Sequence, residues 1–296
     1  MSVAGRSGRQ ALVGWAFSLP FVILFAVFMA GPILVSFVTS FTDLRVTDIR
    51  SPLNVELVGF DNYVDVLNDD TFRTAAGNTA LYVLVTTPAT IGIGLLLALA
   101  LNQGVVRMRN VFRVGFFLPY VTSIVAIAVV WRVLLGTSTG LINGLLGQIG
   151  IDGPGWLTDP AYALWSIMLM TTWKGVGLQM IILLAGLQAI PQQLYEAASV
   201  DGAGRWQKFR YVTLPSLKPT LLFSTVVASI GLMQVFDEPY VMTQGGPLDA
   251  TQTVALYAVD QFGFGNYGHT AAVSYILFVA IALLTLLQFR LLRSDS

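Results

Sequence analysis

The sequence predicts an all-α polytopic membrane protein with six transmembrane helices and both termini in the cytoplasm. Three observations predict it. Hydrophobic residues make up 55% of the 296 and charged residues only 11%, against about 25% charged in a soluble domain, and the mean hydropathy is +0.72. The apolar residues fall in continuous runs of about 20, the length that crosses a bilayer as a helix, without the alternation of a membrane barrel. Basic residues gather on alternate connecting segments, as the positive-inside rule requires. The same composition excludes other classes. Sixteen Lys+Arg balance sixteen Asp+Glu, which leaves no basic surface for nucleic acid. No cysteine is present, so thiol catalysis, disulfides and thiolate metal sites are excluded.

The first run, 15–37, follows Arg6 and Arg9. It is longer than the apolar core of a signal peptide, about 7–15 residues, and no small-residue cleavage site ends it, so it reads as an uncleaved anchor. Further runs cover 79–101, 114–135, 163–187, 220–242 and 270–291. Pro20, Pro32 and Pro88 lie inside runs; kinks are tolerated where neighbouring helices satisfy the freed backbone groups. With the N-terminus cytoplasmic, inside segments carry eleven basic residues, including Arg107, Arg109, Arg113, Arg205, Lys208, Arg210, Lys218, Arg290 and Arg293, and outside segments carry three, Arg45, Arg50 and Arg73. The acids reverse this, eleven outside and three inside (Glu196, Asp201, Asp295). Of the outside loops, 41–78 has room, over 54–70, for a small helix on the membrane. Loop 136–162 reads as turns with Trp156 as an interface anchor, and 243–269 holds a glycine-proline corner at Gly245-Gly246-Pro247.

The informative cytoplasmic segment is 190–219. Pro191 suits a first helical turn, and 192–200 is rich in helix formers. Asp201-Gly202-Ala203-Gly204 breaks the helix. It restarts over 205–212 with Trp206 and Phe209 on one face, and Pro215 and Pro219 are expected to stop it before the next span. From composition alone, two readings stand level: a small-residue helix that slots into a partner's groove, or an amphipathic helix lying on anionic lipid.

The order of residues separates them. Glu196-Ala197-Ala198, Gly202 four residues beyond, and Leu214-Pro215 twelve further on resemble the EAA loop of the permease subunits of bacterial ABC importers, in the version of the carbohydrate-uptake, maltose-transporter type. Residues 184–191 before the loop and 236–247 after the fifth span fit the same pattern, so the resemblance covers about residues 80–290. It implies a single transmembrane permease domain over 1–296, with 188–219 as its coupling loop. Glu196 would face a basic residue of a separate cytoplasmic ATPase. Ala197, Ala198, Gly202 and Ala203 would make the close contact, with Asp201 and Gly204 completing the turn. The implied partners are a second permease subunit in a heterodimer, two copies of the ABC ATPase and an extracytoplasmic substrate-binding protein. ATP and magnesium would sit on the ATPase subunits and no cofactor on this chain. No GxxxxGK[ST] phosphate loop occurs, so the chain is not itself the ATPase, and a non-catalytic subunit is expected.

Polar groups inside spans are functional candidates because they are costly in lipid. Lys174 lies near the middle of the fourth run, too deep to snorkel at about 1.5 Å per residue. It needs a partner or a wet cavity, and Asp237 or Glu238 in the fifth run could supply one. Aromatic faces from Trp173, Phe236 and Tyr240, with Lys174, Asp237 and the amide of Gln234, would suit a sugar, whose rings present apolar faces and hydroxyl edges. A structural ion pair between Lys174 and Asp237 is the competing reading. Arg132 reads as a surface anchor, His269 as a loop histidine, and Gly92, Gly94, Gly175 and Gly177 as helix-packing positions. Alternatives to sugar import are the same architecture carrying glycerol phosphate or a glycerophosphodiester, a stand-alone secondary transporter, and a membrane-embedded enzyme. The first wants more cations on the path. The second wants inverted repeats. The third wants a nucleophile and base at depth, and no such pair is present.

Overall fold

The computed structural model describes residues 4–50, 55–102 and 108–292. Arg107, Arg293 and Asp295, used above for orientation, and Asn54 of the expected membrane-surface helix lie outside the described residues. Described secondary structure is helical apart from two isolated bridges, Thr42 with Leu57 and Arg45 with Asn266. Among the described residues five helices are long and apolar enough to cross a membrane, and a sixth span arises only if one bent pair counts as a single crossing. The chain packs as two compact units, Met1–Val66 with Asp260–Ile276 and Leu67–Val259 with Leu277–Ser296.

In the first unit, α1 (Ala4–Phe25) runs through a π-turn (Ala26–Ala30) into α2 (Gly31–Thr39). Its apolar side chains stay exposed, Phe17 at 84% and Phe28 at 75%, as expected of a helix apolar all round that faces lipid. An aromatic cluster of Phe37, Phe41, Phe60 and Tyr63 closes the base of α2, and Asn62, on α3 (Asp61–Asn68), donates to the carbonyls of Ser40 and Thr42. The Tyr275 hydroxyl donates to Ile33 O at 2.6 Å. His269 lies in the first turn of α14 (Tyr267–Leu292), not in a loop.

The second unit is built around α8 (Pro160–Gln188), the most buried long helix. Asp159 caps it by accepting from Ala161 N, and Pro160 takes the first position, where its missing N–H costs nothing. Helix α4 (Asp70–Asn102) lies along α8. Small residues set the spacing: a Cβ on Gly94 would stand 2.9 Å from Gln179 Cβ, and one on Gly175 3.0 Å from Thr90 Cγ2. Gly177 meets the Phe116 carbonyl of α5 (Arg109–Val121) so closely that no Cβ fits. Gly92 is a correction, since it faces open space and makes no such contact. Two apolar clusters follow from this packing, one around Tyr82, Ile167 and Met170 and one around Ile91, Met180, Leu183 and Leu217.

Three further expectations are corrected. The run 114–135 is not one helix: α5 and α6 (Ile124–Leu134) meet at 95° across Thr122-Ser123. The run 220–242 divides between α11 (Leu214–Met233) and α12 (Asp237–Met242). Pro215 and Pro219 do not stop the helix. It continues from α10 (Arg205–Lys208) through a π-turn (Phe209–Thr213) into α11. Pro215 falls in the first turn after the π-turn, where the i→i−4 ladder is already interrupted and a missing donor is tolerated. The outside loops also hold more helix than expected, with α7 at Leu141–Gln148 and α13 at Val254–Gly263.

Candidate coupling surface and membrane cavity

The segment after α8 folds as expected up to its turn. Helix α9 (Gln192–Val200) starts at Pro191 and ends where Gly202 takes φ +75°, a conformation glycine adopts without a Cβ clash. Ala203 N donates to Ala198 O at 2.9 Å and Asp201 N to Ala197 O at 3.1 Å, so the helix carbonyls are satisfied by the turn. Gln207 Oε1 accepts from Gly204 N at 2.7 Å and starts α10. Two cross-links brace the arms: Lys208 Nζ donates to Ser199 Oγ at 2.7 Å, and the Tyr195 and Thr213 hydroxyls bond at 2.9 Å. The outward side is bare. Glu196, Ala197, Asp201, Gly202 and Gly204 are exposed, Ala198 and Ala203 half-buried, and the apolar Val200 and Trp206 stand 89% and 71% exposed. The hairpin is braced from within and presents small residues, two acids (Glu196 and Asp201) and exposed apolar groups on its outward side.

The second feature is a cavity of about 310 Å³ within the second unit, at the lower end of the range for small-ligand sites. It forms where helices break. Tyr120 reaches it from the end of α5, just before the 95° bend, and Gln234, Val235 and Phe236 reach it from the gap between α11 and α12. Unwound backbone at membrane depth is tolerated where it lines a cavity. From α4 come Thr86 and Thr90, and from α8 come Thr171, Lys174 and Gln179. Asp237 and Glu238 open α12, where acids complement the helix N-terminus.

Of the residues singled out in the sequence, Lys174, Gln234, Phe236 and Asp237 come together on this lining. Trp173 and Tyr240 do not. Trp173 leans on Trp131 at 5.7 Å and Tyr240 stacks on Phe236 at 5.0 Å, both outside the lining. The acid facing Lys174 is Glu238, with Oε1 4.0 Å from Nζ, and not Asp237. Arg132, in the last turn of α6, donates to Val241 O at 3.3 Å. Tyr120 and the threonines escaped sequence reading. Threonine and tyrosine in an apolar run give no hydropathy signal, whereas Asp237-Glu238-Pro239 is a helix-start pattern that marks the break. The frame around the cavity is held by polar links: the Tyr82 hydroxyl with Thr171, the Ser224 hydroxyl donating to Gln179, and Thr253 Oγ1 donating to Val235 O at 2.8 Å. Among the described residues no cluster of His, Asp or Glu could hold a metal ion.

Residues 90–294 match the family described as binding-protein-dependent transport system inner membrane component. The lactose transport system permease protein LacF of Rhizobium radiobacter is 39% identical, over 93% of this chain and 92% of its own length. The arabinooligosaccharides transport system permease protein AraP of Bacillus subtilis is 34% identical, over 98% and 93%. Among solved structures, a chain of a bacterial alginate ABC transporter in complex with an alginate pentasaccharide-bound periplasmic protein superposes with a TM-score of 0.82 at 25% identity, covering 97% of this chain and 96% of its own.

Proposed function

Because the chain belongs to the family of inner membrane components of binding-protein-dependent transport systems, we propose that it is a sugar-translocating permease subunit of an ATP-driven importer. It forms one permease domain over 1–296, crosses the membrane six times with the α5–α6 pair as one broken crossing, and keeps both termini in the cytoplasm. It pairs with a second permease subunit, takes sugar from an extracytoplasmic binding protein, and leaves ATP hydrolysis to two copies of a cytoplasmic ATPase. The hairpin 192–208 couples the two processes. Glu196 supplies a directional charge, and Ala197, Ala198, Asp201, Gly202, Ala203 and Gly204 allow close approach of the ATPase.

The observation that carries the sugar reading is the cavity chemistry: hydroxyls of Thr86, Thr90, Thr171 and Tyr120, amides of Gln179 and Gln234, and the Phe236 ring around one space. Hydroxyls and amides both donate and accept, as sugar hydroxyls do, and a ring covers an apolar sugar face. Sugar-named relatives support the same substrate class. Reconstitution of the complete importer in liposomes tests the reading. Uptake of a labelled sugar that requires both ATP and the binding protein is the expected result. Uptake by this chain alone, without ATP, would contradict it and favour a secondary carrier.

A further inference from the structure

Among the described residues, Lys174 is the only basic side chain on the cavity lining, and it is outnumbered by the carboxylates of Asp237 and Glu238. Lys174 Nζ and Glu238 Oε1 stand 4.0 Å apart, with both side chains largely buried. That separation is too long for a direct hydrogen bond, yet one oxygen placed between the two groups reaches both. A hydroxyl there accepts from the ammonium and donates to the carboxylate, which satisfies both partners. A carboxylate, sulfonate or phosphate oxygen has no proton to give. It satisfies Lys174, leaves Glu238 unmatched, and meets two like charges in a space walled by apolar helices, where repulsion is weakly screened. Thr86 lies beside this lining with its side chain buried and its Oγ1 without a hydrogen-bond partner.

The geometry points to the Lys174–Glu238 pair as a hydroxyl-reading element that admits uncharged sugars and rejects sugars bearing an anionic group. The inference rests on the sugar-permease reading and narrows it. It removes the glycerol phosphate alternative.

The test is equilibrium binding to the purified complex of this chain with its partner permease and ATPases, without the binding protein, so that the cavity's own preference is read. The probes are radiolabelled lactose, maltose and trehalose, against lactobionate, maltobionate and trehalose 6-phosphate. At least one neutral sugar is expected to bind, with its anionic counterpart about tenfold weaker or more, and Glu238→Gln is expected to narrow that ratio to within about threefold. Where Glu238→Gln fails to accumulate, the wild-type ratio decides. Equal or tighter binding of the anionic counterpart overturns the selectivity while leaving a sugar permease. Failure of every sugar, neutral or anionic, to bind a complex that still hydrolyses ATP overturns both.

Discussion

The coupling hairpin and the membrane cavity are built in opposite ways. The hairpin makes its hydrogen bonds within itself, Tyr195 to Thr213 and Lys208 to Ser199, and leaves Val200 and Trp206 largely exposed. The cavity turns its polar groups inward, and one of them, Thr86, has no hydrogen-bond partner. The first leaves side chains exposed on its outer side, and the second gathers polar side chains between helices. The proposed function uses both, the hairpin as the place where the ATPase would act and the cavity as the place where sugar would pass.

The contrast can be broken from either side. The largest effect is expected at the hairpin: Glu196→Lys should reduce ATP-dependent uptake to background while the protein still inserts in the membrane, as membrane fractionation and transport assays would record. Normal uptake in that variant would remove the coupling role. Next is the frame of the cavity. Gly177→Leu forces a side chain into the Phe116 carbonyl and should destabilise the α5–α8 contact by about 1–3 kcal/mol or more, read as lower thermal stability in detergent. Smaller is Gln234→Ala, expected to raise KM for the sugar by about 3- to 10-fold with unchanged assembly with the ATPase; lower expression alone would make Gln234 structural. The smallest is Tyr195→Phe, which removes one half-buried bond to Thr213 and should cost about 1 kcal/mol, seen as a slight loss of coupling efficiency with sugar binding intact.

The two regions also differ in how far the sequence foretold them. The hairpin is continuous in the chain, so the order Glu196-Ala197-Ala198 to Gly202 to Leu214-Pro215 carries it whole, and the turn at Gly202 follows from its composition. The long helices were equally legible, since an apolar run of sufficient length has few alternatives in lipid. The cavity is assembled from four separated segments, and hydropathy averages pass smoothly over the breaks at Thr122-Ser123 and at Gln234–Phe236 that create it. Lys174 announced itself by its cost in lipid, and its partner was narrowed only to Asp237 or Glu238. Asp237 and Glu238 are adjacent, and only the direction in which α12 starts decides that Glu238 faces the lysine. Trp173 sits beside Lys174 in sequence and therefore about 100° away on the helix, which takes it off the lining and onto Trp131.

The most direct test of the central claim, that the bare hairpin is one half of a force-transmitting interface, is affinity purification of the tagged chain from its native membranes in mild detergent, with mass-spectrometric identification of what accompanies it. The account predicts a second multi-span permease and a phosphate-loop ATPase, with the ATPase lost from Glu196→Lys preparations and kept in Gln234→Ala ones. A solitary oligomer that transports in liposomes without ATP would contradict it.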